Sequence, residues 1–167
     1  MMPPIGLLHP GEMGGGLAGT WVGAGQKVAW ASEGRSAATR QRAEKVGAED
    51  LGSVAGLAGA CDLIVSVCPP QFALDVARQV ASAGFEGMYV DANAISPETT
   101  RVVEATVGPA RFVDGGIIGP PPLSAGTTRL YLSGSEAVEV SAQLATVELE
   151  VHVVSDRIGA ASAVKLA

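Results

Sequence analysis

Between Ile5 and Gly16 the chain passes from a short apolar run, Ile5-Gly6-Leu7-Leu8, through His9-Pro10-Gly11 into Glu12-Met13-Gly14-Gly15-Gly16 and a helical pattern. Few arrangements call for so many small residues where a strand gives way to a helix. The backbone has to reverse sharply, approach a bound anion closely, and bring the helix down onto the strand it has just left. The stretch therefore reads as the first strand, phosphate loop and helix of a dinucleotide-binding fold. Gly11 and Gly14 hold the last two glycine positions of a G-x-G-x-x-G fingerprint, and His9 replaces the first.

The rest of the chain alternates in the same manner, apolar runs bounded by turn residues giving way to helical patterns. Strands are expected at 5–8, 27–32, 63–67, 88–92, 112–117, 129–133 and 151–154. Helices are expected at 12–24, 37–46, 53–58, 71–83, 96–106 and 136–144, the fifth opening on the start signal Ser96-Pro97-Glu98. Leu63-Ile64-Val65-Ser66-Val67 and Met88-Tyr89-Val90 are almost unbroken in apolar character, as strands covered on both faces must be. The fold class that follows is α/β, a Rossmann-type, doubly wound and mostly parallel sheet with helices on both faces. With 167 residues, one domain is expected.

A net charge of −6 removes the basic stripe that a general nucleic-acid binder needs. Cys61 and Cys68 have neither zinc-pair spacing nor the number of a secreted disulfide framework, so two buried thiols are expected. The opening Met1-Met2-Pro3-Pro4 lacks the features of a signal peptide, and the apolar stretch 51–70 is interrupted by glycines and Asp62 before it could span a bilayer. A cytoplasmic protein without membrane or nucleic-acid partners is the expectation.

The residue at the end of the second strand separates the two nicotinamide cofactors, because a carboxylate there bonds the ribose hydroxyls of NAD. The strand ends on Ser32 and continues Glu33-Gly34-Arg35-Ser36. Glu33 lies near the offset of a ribose carboxylate but in the turn beyond the strand, so it is expected to point away. Arg35, with hydroxyls from Ser32 and Ser36, suits a 2′-phosphate, since a guanidinium matches phosphate geometry with paired donors. A solvated loop with an idle arginine is the competing reading.

Further candidates cluster after later strands. Cys68-Pro69-Pro70 forms a rigid loop whose backbone can lie along a ribose. Asn93, just past Asp91, is either a carboxamide partner or a turn residue. Gly119-Pro120-Pro121-Pro122 follows a strand at the edge where open parallel sheets bind ligands. Lys165, one of three lysines, follows the small-residue segment Gly159-Ala160-Ala161 and is either a proton carrier or a surface residue. His152 alternates with valines on a strand and reads as structural.

Taken together, these segments resemble the N-terminal domain of the beta-hydroxyacid dehydrogenase superfamily, which includes 6-phosphogluconate and 3-hydroxyisobutyrate dehydrogenases and imine reductases. Residues 5–14 stand in the place of I-G-F-I-G-L-G-x-M-G, Asp91-Ala92-Asn93-Ala94-Ile95-Ser96-Pro97 in that of D-x-S-T-I-S-P, and residues 114–120 in that of D-A-P-V-S-G-G. Residues 159–165 are similar to G-x-G-x-x-x-K, whose lysine is the family's acid/base. The resemblance implies an oxidoreductase that moves hydride between NADP and a hydroxyl or imine carbon, NAD being the lesser alternative, with Lys165 as catalytic residue. It places the cofactor against His9, Pro10, Gly11, Glu12, Met13, Gly14, Ser32, Arg35 and Ser36, with Cys68, Pro69 and Asn93 along the nicotinamide half. Asn93, Ile118, Gly119 and Pro120 fall to a small-molecule substrate. Ile118 and Pro120 replace the serine and last glycine of the family's substrate loop, which implies a bulkier or less polar substrate. Residues 1–158 correspond to the dinucleotide-binding domain and 159–167 to the start of an interdomain helix, the family's C-terminal helical domain and its dimer interface lying beyond this sequence. A non-catalytic NADP-binding module or redox sensor is the alternative function.

Overall fold

The computed structural model describes residues 2–167. Among them, one eight-stranded sheet forms in the order β3-β2-β1-β4-β5-β6-β7-β8. Its strands are β1 (Ile5–Leu8), β2 (Val28–Trp30), β3 (Glu49–Asp50), β4 (Leu63–Ser66), β5 (Met88–Asp91), β6 (Arg111–Ile118), β7 (Thr128–Ser133) and β8 (Leu149–Ser155). The first six run parallel, β7 turns antiparallel to β6, and β8 is parallel to β7. The winding direction reverses at β1, which pairs with β2 on one side and β4 on the other. The crevice at such a reversal is where doubly wound sheets take ligands.

Among the described residues, seven helices cover the sheet: α1 (Glu12–Gly23), α2 (Ala37–Val46), α3 (Val54–Ala60), α4 (Ala73–Ser82), α5 (Pro97–Thr106), α6 (Ala137–Leu144) and α7 (Ala160–Leu166). A 3₁₀ turn, Pro70–Phe72, leads into α4. Side chains alternate across the strands, so each face buries its own core. One face packs Leu17 and Trp21 of α1 and Val140 and Leu144 of α6 against Ile5, Leu7, Val65 and Val90. The other packs Leu57, Val76, Val80 and Val103 of α3, α4 and α5 against Leu8, Ile64 and Tyr89. The Trp21 indole N–H donates to the Leu144 carbonyl at 2.9 Å, satisfying the one polar atom of a fully buried ring.

Serine marks three helix starts. The hydroxyls of Ser36, Ser53 and Ser96 accept from the backbone N–H of Thr39, Gly56 and Thr99 at 3.2, 3.0 and 3.1 Å. The start of α1 has no such side-chain cap. Its first-turn donors are left for something else.

Candidate functional site

At the reversal point the phosphate loop is locked to its neighbours by backbone bonds. His9 N–H donates to Val67 O at 3.0 Å, Gly11 N–H to His9 O at 2.8 Å, and Gly15 N–H to Gly11 O at 2.7 Å. The helix is seated by Gly14, where a Cβ would fall 2.1 Å from the His9 carbonyl oxygen. Gly11 has the opposite surroundings: a Cβ there would meet nothing within 4 Å. The backbone at Gly11 is thus open to solvent beside the uncapped N-terminus of a twelve-residue helix. Both features suit an approaching pyrophosphate, which takes free N–H groups and the positive end of the helix dipole. The Glu12, Met13 and Gly14 amides form that first turn, while the Glu12 side chain is exposed.

Beside the loop lies a cavity of about 370 Å³ walled by His9, Gly11, Arg35 and Thr39, by Cys68 and Pro69, and by Phe72 and Gln79 among others. Cys68 and Pro69, expected along the nicotinamide half of a cofactor, line the same cavity as Arg35, where the chain leaving β4 runs beside the end of β1 and Val67 bonds Leu8 and His9. Arg35 forms no ion pair among the described residues, and Glu33 lines a different depression with Ser53 and Arg78. Asp50, the other carboxylate near the end of β2, accepts from Ser32 N–H at 3.2 Å, Gly52 N–H at 2.8 Å and Arg40 at 3.2 Å. Slight desolvation raises its pKa, but these hydrogen bonds and the Arg40 charge outweigh it and hold the carboxyl below its ordinary range.

The two serines expected beside a phosphate bond their own neighbours. Ser32 braces Asp50, and Ser36 caps α2 and bonds the Thr39 hydroxyl at 3.0 Å. Neither borders the cavity; the hydroxyl residue that does is Thr39, one turn into α2. The spacing Arg35-x-x-x-Thr39, spanning a loop and one helical turn, could have flagged it.

His9 is half-buried in the cavity wall, and its Nδ1 is buried without a hydrogen-bond partner. Burial, then the nearby Arg35 charge, lower its pKa to about 4, so the imidazole is neutral at physiological pH. Burial raises the Cys68 thiol to about 11, which keeps it protonated and unreactive.

Asn93 is buried, and its amide ties two loops together. Oδ1 accepts from Cys68 N–H at 2.7 Å, Nδ2 donates to Ser66 Oγ at 3.1 Å, and its backbone N–H donates to Asp91 Oδ1 at 2.9 Å. Asp91 Oδ2 is buried without a partner, and desolvation, reinforced by Asp114 on the adjacent strand, lifts its pKa to about 6.

Lys165 lies beyond the cavity, on α7 alongside β6. Its ammonium donates to the Ile117 carbonyl at 2.5 Å. Gly116 permits the approach, since a Cβ there would sit 2.9 Å from Lys165 Cβ and 3.0 Å from the Ala161 carbonyl oxygen. Ile118, Gly119 and Pro120 continue from the same strand end, and Gly119, with φ of +116°, turns so closely that a Cβ would lie 2.2 Å from Thr127 O. Pro120 O accepts from the Thr128 hydroxyl at 2.5 Å. The prolines then cross to α1, where a Cβ on Gly16 would come within 2.9 Å of Pro121 Cβ and 3.0 Å of Pro122 Cδ. The loop expected to face substrate is thereby braced against the helix that carries the phosphate loop.

Fold and site together define a nicotinamide-dinucleotide-binding domain of the oxidoreductase type. A family model described as NADP oxidoreductase, coenzyme F420-dependent, matches residues 4–94, and the chain belongs to that family. A curated relative from Methanothermus fervidus, an uncharacterised 28.5 kDa protein, is 29% identical over 134 residues, which cover 80% of this chain and 51% of that one. A solved conserved protein of unknown function, described as structurally similar to 3-hydroxyacid dehydrogenases, is 32% identical with a TM-score of 0.84, covering 98% of this chain and 62% of its own. The fold alone is shared with a reductive aminase from Aspergillus terreus in complex with NADPH and ethyl levulinate, at 18% identity and a TM-score of 0.83 over 99% of this chain and 59% of the other. It is shared likewise with an imine reductase variant from Myxococcus stipitatus in complex with NAD+, at 22% identity and a TM-score of 0.80 over 99% and 59%. The chain thus spans about half the length of the curated relative and about three fifths of these structures. Among the described residues no helix is long and apolar enough to cross a membrane.

Proposed function

We propose that this chain is the cofactor-binding domain of an NADP-dependent oxidoreductase acting on a hydroxyl or imine carbon. The observation that carries the NADP preference is the end of β2. Arg35 and Thr39 border the cavity there without an ion-pair partner, while Glu33 faces elsewhere and Asp50 is occupied by Arg40 and two amides. A 2′-phosphate would find a guanidinium and a hydroxyl, and the carboxylate in the same lining, Asp75, is paired with Arg78 at 3.1 Å.

In this reading the first-turn amides of α1 take the pyrophosphate, Arg35 and Thr39 the 2′-phosphate, and Cys68 and Pro69 flank the adenosine side. The nicotinamide ring supplies hydride exchange with a substrate carbon. Lys165 holds the proton that accompanies it, giving it to the substrate oxygen or nitrogen during reduction and taking it back during oxidation. Until substrate arrives, the Ile117 carbonyl keeps the ammonium beside the end of β6. Asn93 fixes the two loops between the cavity and Lys165, and Ile118, Gly119 and Pro120 border the substrate side. A second copy of the chain and the remaining length of the relatives belong to the working enzyme in this proposal.

Calorimetric titration with NADPH and with NADH tests the cofactor assignment. NADPH should bind more tightly, and Arg35→Ala should cost about 1 kcal/mol or more of that binding while leaving NADH unaffected. Equal affinities, both unmoved by the substitution, would overturn the NADP assignment. Lys165→Ala should keep cofactor affinity and abolish turnover in the full-length protein; unchanged turnover would remove Lys165 as the proton carrier, and a full-length parent that binds cofactor without turnover would be a binding module in place of an enzyme.

A further inference from the structure

Arg42 stands on α2, one turn beyond Thr39, half-buried against α1. Its Nη1 donates to the carbonyl of Pro10, inside the phosphate loop, at 3.2 Å. Its stem fills the space that a side chain on residue 15 would need, for a Cβ there would come within 2.8 Å of Arg42 Cδ and 3.0 Å of Cγ. Among the described residues it has no carboxylate partner, whereas Arg40, two residues earlier, is paired with Asp50. Drawing a guanidinium partly out of water without a counter-ion is unfavourable, so this position needs a return.

The return is visible in the loop's own bonding. His9 O is taken by Gly11 N–H and Gly11 O by Gly15 N–H. Pro10 O is the remaining carbonyl of the turn, and Arg42 takes it. With the three carbonyls held, the peptide planes are fixed, and the first-turn amides of α1 keep their outward direction. This matters in a loop where His9 replaces the glycine that ordinarily lets the turn close tightly.

We infer that Arg42 is a positioning residue for the pyrophosphate: it pins the Pro10 carbonyl toward α2, keeps the α1 amides aimed at the ligand, and adds an unneutralised positive charge behind them. The inference rests on the cofactor reading above. Two residues one turn apart on α2 then divide the labour, Thr39 at the cavity and Arg42 at the loop.

The test compares NADPH, which carries the pyrophosphate, with adenosine 2′-monophosphate, which reaches only the Arg35 and Thr39 end. Arg42→Ala should weaken NADPH about tenfold, the scale of one hydrogen bond to a charged group. Adenosine 2′-monophosphate should stay within about twofold, since in this reading its phosphate is held by Arg35 and Thr39 and it has no pyrophosphate for the first-turn amides of α1. Arg42→Lys should recover part of the loss, and Gly15→Ala, which displaces the arginine stem without removing the charge, should give the same split. A merely structural role would lower the melting temperature and weaken both ligands equally; that result, or NADPH affinity unchanged in Arg42→Ala, overturns the inference. A parent chain that binds no NADPH overturns the cofactor reading itself.

Discussion

Asp114 and Ser162, 48 residues apart, are joined by two hydrogen bonds: the Ser162 hydroxyl donates to Oδ1 at 2.5 Å and its backbone N–H to Oδ2 at 3.0 Å. The same Oδ2 accepts from Gly159 N–H at 3.0 Å and from the Ser133 hydroxyl at 3.3 Å. A carboxylate on β6 therefore caps α7 from outside its own segment, and it fixes where Lys165 falls one turn later.

Removing that cap should detach α7. Asp114→Ala strands four buried donors and is expected to cost about 3 kcal/mol, while Asp114→Asn, which keeps an acceptor, should cost less. Urea unfolding measures both. Hydrogen exchange should show the α7 amides losing protection ahead of those in β1 and β4; equal protection in both variants would mean that the cap does not hold the helix.

Two glycines of the phosphate loop should behave oppositely. At Gly14 an alanine would drive its Cβ into the His9 carbonyl, so a destabilisation of about 1–3 kcal/mol is expected, together with weaker NADPH binding. At Gly11 the added methyl meets only open space in the free protein, so stability should be unchanged while NADPH affinity drops. Thermal unfolding and titration of the pair separate the effects. A Gly11→Ala chain that binds NADPH normally would remove this surface from the site.

What could be read from the sequence follows from how local each cause is. Helix α2 spans the expected 37–46 because Ser36 and Gly47 delimit it from inside the segment, Gly47 taking the left-handed conformation at φ of +83°. The β1 loop was legible because the clash that demands Gly14 is with His9, five residues back in the same segment. Strand β3 was not: Glu49 and Asp50 are exposed, charged and only two, and they become a strand solely through pairing with Ala29 and Trp30. Strand β8 runs over Leu149–Ser155, beyond the expected 151–154, because β7 supplies partners for the added residues. Thr39 at the cavity, Arg42 on the loop and the prolines on Gly16 all depend on segments that only the folded chain brings together.

Stability between pH 4 and 6.5 should carry two opposing contributions. His9 has its pKa lowered to about 4 from 6.5, so the folded state binds fewer protons than the unfolded state, and this contribution rises with pH through that window. Asp91 is raised to about 6 from 3.8, so the folded state holds the extra proton, and its contribution falls as pH rises from about 4 to 6. The two slopes largely cancel in the parent. His9→Asn should expose the falling slope and Asp91→Asn the rising one, with Asp91→Asn also more stable than the parent above pH 7. Denaturant midpoints measured at half-unit pH intervals would decide it, and parallel profiles for all three chains would refute the assignment.

Gly16 offers a means of moving the proline loop without touching the cofactor cavity. An alanine there places its Cβ 2.9 Å from Pro121 Cβ and 3.0 Å from Pro122 Cδ, so one partner must yield. Helix α1 is anchored by Leu17 and Trp21 in the core, whereas the neighbouring loop residue Leu123 is 82% exposed. The loop should give way. Because little buried surface is lost, Gly16→Ala should cost no more than about 1 kcal/mol in unfolding. NADPH binding should be unchanged, since Gly16 lies past the first turn whose amides face the pyrophosphate. The displaced loop should be cut faster by a protease of broad specificity at residues 122–127, and in the full-length protein KM should rise more than kcat falls. An unaltered cleavage rate would show that the prolines do not depend on α1, and the substrate-side loop would then have to be held by Thr128 and Gly119 alone.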